Sequence, residues 1–234
     1  MKPVLTERRD AVGIVTLNRP EKRNALDLTM RAAISEAVRE LDADASVRVI
    51  IITGGEKVFA AGADLNLLVD KGAQDVADID LGQYWAPLIK TQKPLIAAVS
   101  GFALGAGCEM AMMCDFIVCD ASARFGQTEA RVGIMPMTGE FISGERAYQL
   151  GLVADLVTDG TPLERAIALA NTAASMPPKA LVAIKRSLAQ GADLPLDAAL
   201  TLENREFLLL FDTQDKTEGM RAFLEKRSPT YTGQ

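Results

Sequence analysis

Two glutamates, Glu109 and Glu129, are the residues of this sequence best suited to acid–base chemistry. Each follows a glycine-bearing turn and is flanked by small or apolar residues, and the 234-residue chain contains no histidine. Histidine-dependent catalysis, including Ser-His-Asp sets and histidine-ligated metals, is thereby excluded, so carboxylates must move the protons. Two glutamates can act as acid and base if burial or mutual repulsion raises the pKa of at least one. A structural or solvated charge is the alternative for either residue taken alone.

Two glycine-rich turns could supply a pair of backbone N–H donors. Ala63 follows Gly62, Ala106 follows Gly105, and each turn leads from a predicted strand into a predicted helix. Two such donors that converge on one oxygen form an oxyanion hole, and removal of one donor typically costs about 3–4 kcal/mol of transition-state stabilisation. The alternative is that both segments are only tight turns.

The element that carries most of this chemistry runs from a strand at 93–99 into a helix at 108–114. The strand is apolar with a proline boundary, and Glu109 lies in the first turn of the helix. Residues 66–93 are predicted to be helical, with a polar middle at 70–80 that is either a mobile loop or a plain surface excursion.

Other strands and helices place this element within an α/β protein. Strands are predicted at 12–18, 47–53 and 116–119, and a helix capped by Asp27 at 27–42. The order strand, strand, helix recurs at 12–42, at 47–93 and from residue 94. This recurrence indicates a spiral of similar units.

The chain becomes all-helical from Thr161 onwards. Helices are predicted at 162–175, 178–190, 196–210 and 213–227. We therefore divide the chain into an α/β core, 1–160, which carries the active site, and a helical C-terminal region, 161–234. The apolar run at 208–211 requires a partner surface, either on its own core or on a neighbouring subunit.

Composition limits the possible partners. The chain is 49% hydrophobic and 24% charged, and its net charge of −6 argues against a nucleic-acid partner. No apolar run is long enough to span a bilayer, and the N-terminus does not have the pattern of a signal peptide. The three cysteines are interpreted as reduced core thiols, with metal binding as the alternative. We expect a cytoplasmic protein with no membrane partner and no metal.

Several motifs together resemble the enoyl-CoA hydratase/isomerase (crotonase) family. They are FAAGAD at 59–64, AAVSGFALGAGCE at 97–109, CD at 114–115, FGQTE at 125–129, GLV at 151–153 and EGMRAFLEKR at 218–227. Within the family, the chain is most similar to hydratases of the phenylacetate-degradation type. The resemblance implies a crotonase-like spiral of ββα units with a helical C-terminal trimerisation region, assembled as a homotrimer or a hexamer.

The resemblance also implies a reaction. An acyl-CoA thioester is the expected substrate, and coenzyme A belongs to that substrate, so no separate cofactor is expected. The thioester oxygen would lie between the N–H groups of Ala63 and Ala106, Glu109 would activate a water for attack at Cβ, and Glu129 would deliver a proton to Cα. The presence of both glutamates favours hydration. An isomerase, which needs one glutamate, and a catalytically impaired acyl-CoA-binding protein are the alternatives.

Other family positions are expected to contact coenzyme A. In this chain they are Arg23, Ala25, Ala61, Asp64, Leu65 and Gly107, with Phe223 and Lys226 positioned to reach the coenzyme A of a neighbouring subunit.

One departure from the family pattern follows Pro136. Relatives continue there with a glycine-rich loop and a helix of roughly twenty residues, longer than an ordinary connection. A glycine that helps to hold the water is replaced by Met137. Either the segment is deleted or the printed sequence omits a disordered one, and a Cα–Cα distance of about 3.8 Å between Pro136 and Met137 would indicate deletion. We expect omission, because loss of the helix would expose apolar core.

Overall fold

Two β-sheets lie at the centre of the structure, a computed structural model that describes residues 2–135 and 139–234. The strands are β1 (Val4–Arg9), β2 (Val12–Leu17), β3 (Val49–Thr53), β4 (Val58–Ala60), β5 (Leu95–Val99), β6 (Phe102–Leu104), β7 (Phe116–Asp120), β8 (Arg124–Gly126), β9 (Ile142–Ser143) and β10 (Asp155–Val157). The helices are α1 (Leu28–Ala43), α2 (Ala73–Ile79), α3 (Gly82–Lys90), α4 (Ala106–Met112), α5 (Gly144–Gln149), α6 (Pro162–Ala174), α7 (Pro178–Gly191), α8 (Leu196–Leu210) and α9 (Gln214–Glu225).

The larger sheet has the order β1-β2-β3-β5-β7-β10, and only β1 runs antiparallel to its neighbour. Every residue of its central strands β3 and β5 is buried, and all but Thr53 are apolar, because both faces of the sheet are covered. One face packs against Ala166 and Ala170 of α6, and the other packs against α1 through Met30, Ile34 and Val38. Asp27 caps α1 as predicted, since its Oδ1 accepts from the N–H of Met30 at 2.8 Å.

The smaller sheet has the order β4-β6-β8-β9, with β4, β6 and β8 parallel. Each of the pairs β3/β4, β5/β6 and β7/β8 gives its first strand to the larger sheet and its second strand to the smaller one. The predicted spiral of similar units is therefore confirmed. Its consequence for the site is that the second strands of three successive units lie side by side.

The observed helix and strand boundaries agree with those predicted from the sequence in some segments and differ in others. The four C-terminal helices begin at or within one residue of their predicted starts. Residues 66–93 are helical in two pieces, and the polar middle predicted at 70–80 contains the mostly exposed helix α2, residues 73–79. Strands β6 and β8 were not predicted, since three-residue strands are too short to show a period of two.

The helical C-terminal region begins with a helix that belongs to the core. Helix α6 packs across β2, β3, β5 and β7, whereas α7 and α8 pack mainly against each other. Thus α6 closes one face of the larger sheet, and the domain boundary at residue 160 stays a prediction. Within residues 2–135 and 139–234, no helix is long and apolar enough to cross a membrane.

Candidate active site

The candidate site lies at the edge of the smaller sheet where β4, β6 and β8 end. Because these strands are parallel neighbours, their carboxyl ends meet at one edge, where ligands bind in many α/β proteins. Ala63 lies three residues beyond β4, Ala106 begins α4 shortly after β6, and Glu129 follows β8. The structure therefore gathers residues that are up to 66 positions apart in the sequence.

Two glycines bring the turns after β4 and β6 into contact. Gly62 and Gly105 have φ of +106° and +47°, which side chains other than glycine rarely allow. A Cβ on Gly62 would lie 3.0 Å from the carbonyl oxygen of Leu104, and one on Gly107 would lie 2.4 Å from that of Ala60. The first turn of α4 is thus pressed against the end of β4.

The backbone N–H groups of Ala63 and Ala106 have no acceptor among residues 2–135 and 139–234. Their neighbours do: Leu26 donates to Gly62 at 2.8 Å, and Gly105 donates to Gly126 at 2.8 Å. Most backbone donors away from water are paired, so two unpaired donors in adjoining turns are unusual. An oxyanion hole requires this arrangement.

The two glutamates face the same space. Burial first, and the charge of Glu129 second, raise the pKa of Glu109, whereas the charge of Arg31 opposes that rise. The Glu129 carboxylate rests against Gly105, where an added Cβ would lie 2.3 Å from Oε1 of Glu129. The predicted pair is therefore brought together, while the acid and base roles of its members stay predictions.

Two buried side-chain oxygens near this pair lack a protein donor in the described parts of the chain. They are Oε1 of Gln127 and Oε2 of Glu129, and both belong to the segment that follows β8. An unsatisfied buried acceptor costs about 1–3 kcal/mol. These oxygens are thus available to a donor on a substrate or a water, and Gln127 is a site residue that the sequence did not reveal.

The segments expected to hold coenzyme A adjoin the oxyanion turns. Ala61 donates to the carbonyl oxygen of Arg23 at 3.0 Å, which ties the segment that contains Ala25 to the turn that precedes Ala63. Asp64 uses Oδ1 to accept from the N–H of Asn66 at 3.1 Å, and so caps the 3-10 turn Leu65–Leu67. Arg23, Ala25, Ala61, Asp64 and Leu65 are therefore gathered at one rim.

Within one chain, Phe223 and Lys226 do not lie with the residues of this rim. Both are exposed, Phe223 to 83% of its surface on α9, and no hydrogen bond or ion pair of the described residues joins them to the site. Their contact with the coenzyme A of a neighbouring subunit stays a prediction.

A buried asparagine fixes the segment between Arg23 and Ala25, which is expected to contact coenzyme A. The Nδ2 of Asn24 donates to the carbonyl oxygens of Gly54, Val58 and Phe59 at 3.0–3.2 Å, and its Oδ1 accepts from the N–H of Arg19 at 2.9 Å. Its backbone is left-handed, with a φ of +54°, a conformation in which asparagine is enriched. Sequence reasoning selected its neighbours and missed this residue.

We expect Asn24→Ala to lower the free energy of unfolding by roughly 3 kcal/mol, because it leaves several buried backbone groups without partners. Urea denaturation measures this loss. Asn18→Ala is the matched control, since the Asn18 side chain donates an exposed hydrogen bond to the carbonyl oxygen of Lys2 at 3.0 Å, and the substitution should cost under about 1 kcal/mol. Equal losses in the two variants would contradict a special role for Asn24.

Comparison with known proteins identifies the family. A family model described as enoyl-CoA hydratase/isomerase matches residues 7–141 and 135–234. The chain belongs to this family. Its members include a 2,3-dehydroadipyl-CoA hydratase of Escherichia coli (strain K12), 40% identical over 257 residues and the whole of both chains. A probable enoyl-CoA hydratase of Mycobacterium leprae is 38% identical over 98% of this chain and 97% of its own.

Solved structures of enoyl-CoA hydratases share the fold. Subunit I of the enzyme from Geobacillus kaustophilus superposes with a TM-score of 0.94 at 36% identity, covering 99% of this chain and 98% of that one. The enzyme from Mycobacterium tuberculosis H37Rv has a TM-score of 0.89 at 34% identity and covers all of both chains. The crotonase-like spiral that the motifs implied is thereby confirmed.

The same comparisons show that a relative has residues with no counterpart in this chain. The alignment with the Escherichia coli relative spans 257 positions, more than the 234 residues of this enoyl-CoA hydratase/isomerase family member, so that relative carries residues absent here. The two matches of the family model overlap at 135–141. Exposed apolar residues, including Met135 at 90% and Phe141, flank this point. The predicted distance between Pro136 and Met137 lies outside the described residues.

Proposed function

We propose that this chain is an enoyl-CoA hydratase that adds water across the trans-2 double bond of an acyl-CoA thioester. One observation carries the proposal. Among the described residues, the backbone N–H groups of Ala63 and Ala106 have no acceptor, and they lie at the same sheet edge as the carboxylates of Glu109 and Glu129. Full-length similarity to several enoyl-CoA hydratases supports the same activity.

In the proposed reaction, the two amides donate to the thioester oxygen and stabilise the negative charge that develops there. Glu109 takes a proton from water as the water oxygen bonds to Cβ, and the double-bond electrons move towards Cα and the thioester. Glu129 then gives a proton to Cα, which completes a 3-hydroxyacyl-CoA. Proton exchange with solvent restores the starting state of both carboxyl groups.

A hydration assay tests this proposal and its substrate range. Loss of the enoyl absorbance is measured with crotonyl-CoA, with longer trans-2-enoyl-CoA thioesters and with 2,3-dehydroadipyl-CoA. We expect turnover of at least one of them, and we include the last because the Escherichia coli relative is named for it. Acyl-CoA binding in calorimetry without any absorbance loss would favour an impaired binding protein, and a product with a shifted double bond would favour an isomerase.

We also propose that the chemistry uses no metal and no cofactor beyond the coenzyme A of the substrate. Burial raises the pKa of Cys108 to about 11 and that of Cys119 to about 12, so these thiols stay protonated and are poor metal ligands. Dialysis against EDTA is expected to leave hydration unchanged, and a loss restored by a divalent ion would contradict this proposal. Reduced thiols are also consistent with the proposed cytoplasmic location.

A homotrimer or hexamer is the proposed assembly. Exposed apolar side chains on the C-terminal helices support it, among them Leu188 of α7, Leu196 of α8 and Leu224 of α9. Large apolar side chains left exposed on several helices favour contact with another subunit. We expect analytical ultracentrifugation to give three or six times the 25.1 kDa of one chain, and a monomer at micromolar concentration would contradict the proposal.

A further inference from the structure

A cavity lies at the amino ends of β3 and β5. It has a volume of about 510 Å³, within the range typical of small-molecule sites, and it is lined by Arg48 and Pro94, which directly precede these two strands. The candidate active site lies instead beyond the carboxyl ends of β4, β6 and β8, and the cavity shares none of its residues. The cavity is therefore separate from the proposed chemistry.

Hydrogen bonds hold the walls of the cavity in place. The C-terminal residues Thr232 and Gly233 form one wall, and both donate their backbone N–H groups to the carboxylate of Asp215, at 2.7 and 2.8 Å. Asp215 is only 2% exposed. Arg48 donates to the carbonyl oxygen of Tyr231 at 3.2 Å, which joins the same segment to the start of β3. Because its walls are fixed in this way, the cavity is formed before a ligand binds, and binding costs less ordering of the chain.

Three cationic side chains line the cavity, those of Arg48, Lys90 and Lys93. The Nζ of Lys93 donates to the carbonyl oxygens of Leu41 and Asp44, both at 2.7 Å, and Arg48 likewise donates to carbonyl oxygens. None of the three cations forms an ion pair within residues 2–135 and 139–234. Carbonyl oxygens orient these side chains without neutralising them, so their charge is available to an anion.

One acidic residue, Asp42, belongs to the same lining. Its Oδ1 accepts a hydrogen bond from the hydroxyl of Thr91. Burial lowers the pKa of Lys93, while the charges of Asp42 and Asp44 act in the opposite direction. Three cations against one carboxylate leave the lining with a net charge of +2, although the whole chain carries −6. The cavity therefore attracts anions on an otherwise acidic protein.

An apolar surface completes the cavity. It is formed by the residue before the start of α7 and by the first turns of that helix, and its members are Met176, Pro178, Leu181 and Val182. Met176 is 42% exposed, although methionine side chains are often buried. An inorganic anion would contact only the cations, whereas a carboxylate on a hydrocarbon chain would bury apolar area as well.

We propose that this cavity binds an amphipathic monocarboxylate, that is, a carboxylate on a hydrocarbon chain. Arg48, Lys90 and Lys93 hold the carboxylate, and the apolar start of α7 covers the chain. This binding site is independent of the proposed hydratase function, because the cavity shares no residue with the candidate active site. A ligand that binds the folded chain and not the unfolded one also raises thermal stability.

Hexanoate is the probe, and NMR of methionine methyl groups labelled with ¹³C is the first readout. Met176 reports the cavity, and its signal is assigned by its loss in Met176→Leu. Met135 follows Glu129 by six residues and reports the candidate active site. Hexan-1-ol has the same chain without the charge, and acetate has the charge without most of the chain, so both are matched probes. Thermal denaturation with each probe is the second readout.

We expect hexanoate to give a saturable shift of the Met176 signal, with a Kd about tenfold or more below those of hexan-1-ol and acetate. Lys90→Gln should weaken hexanoate binding about threefold and Lys90→Glu about tenfold or more, since an exposed charge contributes modestly and a reversed charge repels. Lys90 is exposed, so both variants should fold. Lys71→Gln is the matched control, because Lys71 is an exposed lysine outside the cavity. Hexanoate should also raise the Tm of the wild type more than that of Lys90→Glu.

An unmoved Met176 signal at about 20 mM hexanoate would overturn the proposal. So would equal binding of hexanoate and hexan-1-ol, or equal binding by the wild type and Lys90→Glu, because the cations would then have no part in recognition. A shift of the Met135 signal without one of Met176 would place the carboxylate at the candidate active site and contradict the proposal as well. All these outcomes are read from binding, so a failure of the hydration assay would not change them.

Discussion

Replacing Glu109 or Glu129 with glutamine should each lower kcat/KM for hydration of crotonyl-CoA by about 10²–10⁴-fold, the usual contribution of a positioned acid or base. Glutamine keeps the size and polarity of glutamate but neither accepts nor donates the proton. Because both groups act on one water and one double bond, the double variant should lose little more than the worse single variant. Steady-state assays across a range of pH measure these losses.

The Glu109→Gln variant should also show how the ionised carboxylate of Glu109 affects the stability of the fold. Burial and the charge of Glu129 raise the pKa of Glu109 above its value in the unfolded chain. The stability that the protonated carboxyl contributes is complete below the unfolded pKa of about 4.3 and is lost as pH rises through the folded pKa. At pH 7 the glutamine variant should therefore be at least as stable as the wild type.

Glu206→Gln is the matched control for this pair. Glu206 is a buried carboxylate of α8 that pairs with Arg186 at 3.3 Å, in the helical region. Its replacement should lower stability while turnover per folded enzyme stays near the wild-type value. Wild-type turnover in Glu109→Gln or Glu129→Gln, by contrast, would refute the two-carboxylate mechanism.

The second large effect is expected from Gly105→Ala, which should lower kcat/KM by about 10²-fold or more, as loss of an oxyanion donor does. The new Cβ would lie 2.3 Å from Oε1 of Glu129, so that carboxylate must move away. The φ of +47° is unfavourable for alanine, and relaxation of the backbone would turn the adjoining N–H of Ala106. A single methyl group thus disturbs both halves of the proposed machinery.

Gly151→Ala separates backbone strain from contact with the site. Gly151 has a φ of +79° but no atom within 4 Å of an added Cβ. Gly151→Ala should therefore lower the free energy of unfolding by about 1–2 kcal/mol, as the backbone strain of Gly105→Ala does, and leave kcat/KM unchanged. If Gly105→Ala retained activity like this control, the packing of Glu129 on Gly105 would have no catalytic consequence.

Signals between residues close together in the sequence were sufficient to predict much of the fold. The capping residue Asp27, the apolar runs of β3 and β5, and the prolines and glycines that separate α6, α7 and α8 depend on neighbours along the chain. Such features are readable because capping, burial on both faces and helix termination are short-range effects. The short strands β6 and β8 were missed because only their neighbours in the smaller sheet make them strands.

Within the site, the chemically capable residue types could be read directly from the sequence. The absence of histidine, the pair Glu109 and Glu129, and the two glycine turns limited the chemistry to carboxylates and backbone donors, and the motifs around them indicated the family. The folded structure alone shows that the turns touch, that Asn24 supports one of them, and that Arg31 is buried against Trp85 on the core side of α1. Those relations join segments that lie far apart in the sequence, and they arise because three parallel strands end at the same sheet edge while α1 packs on the larger sheet.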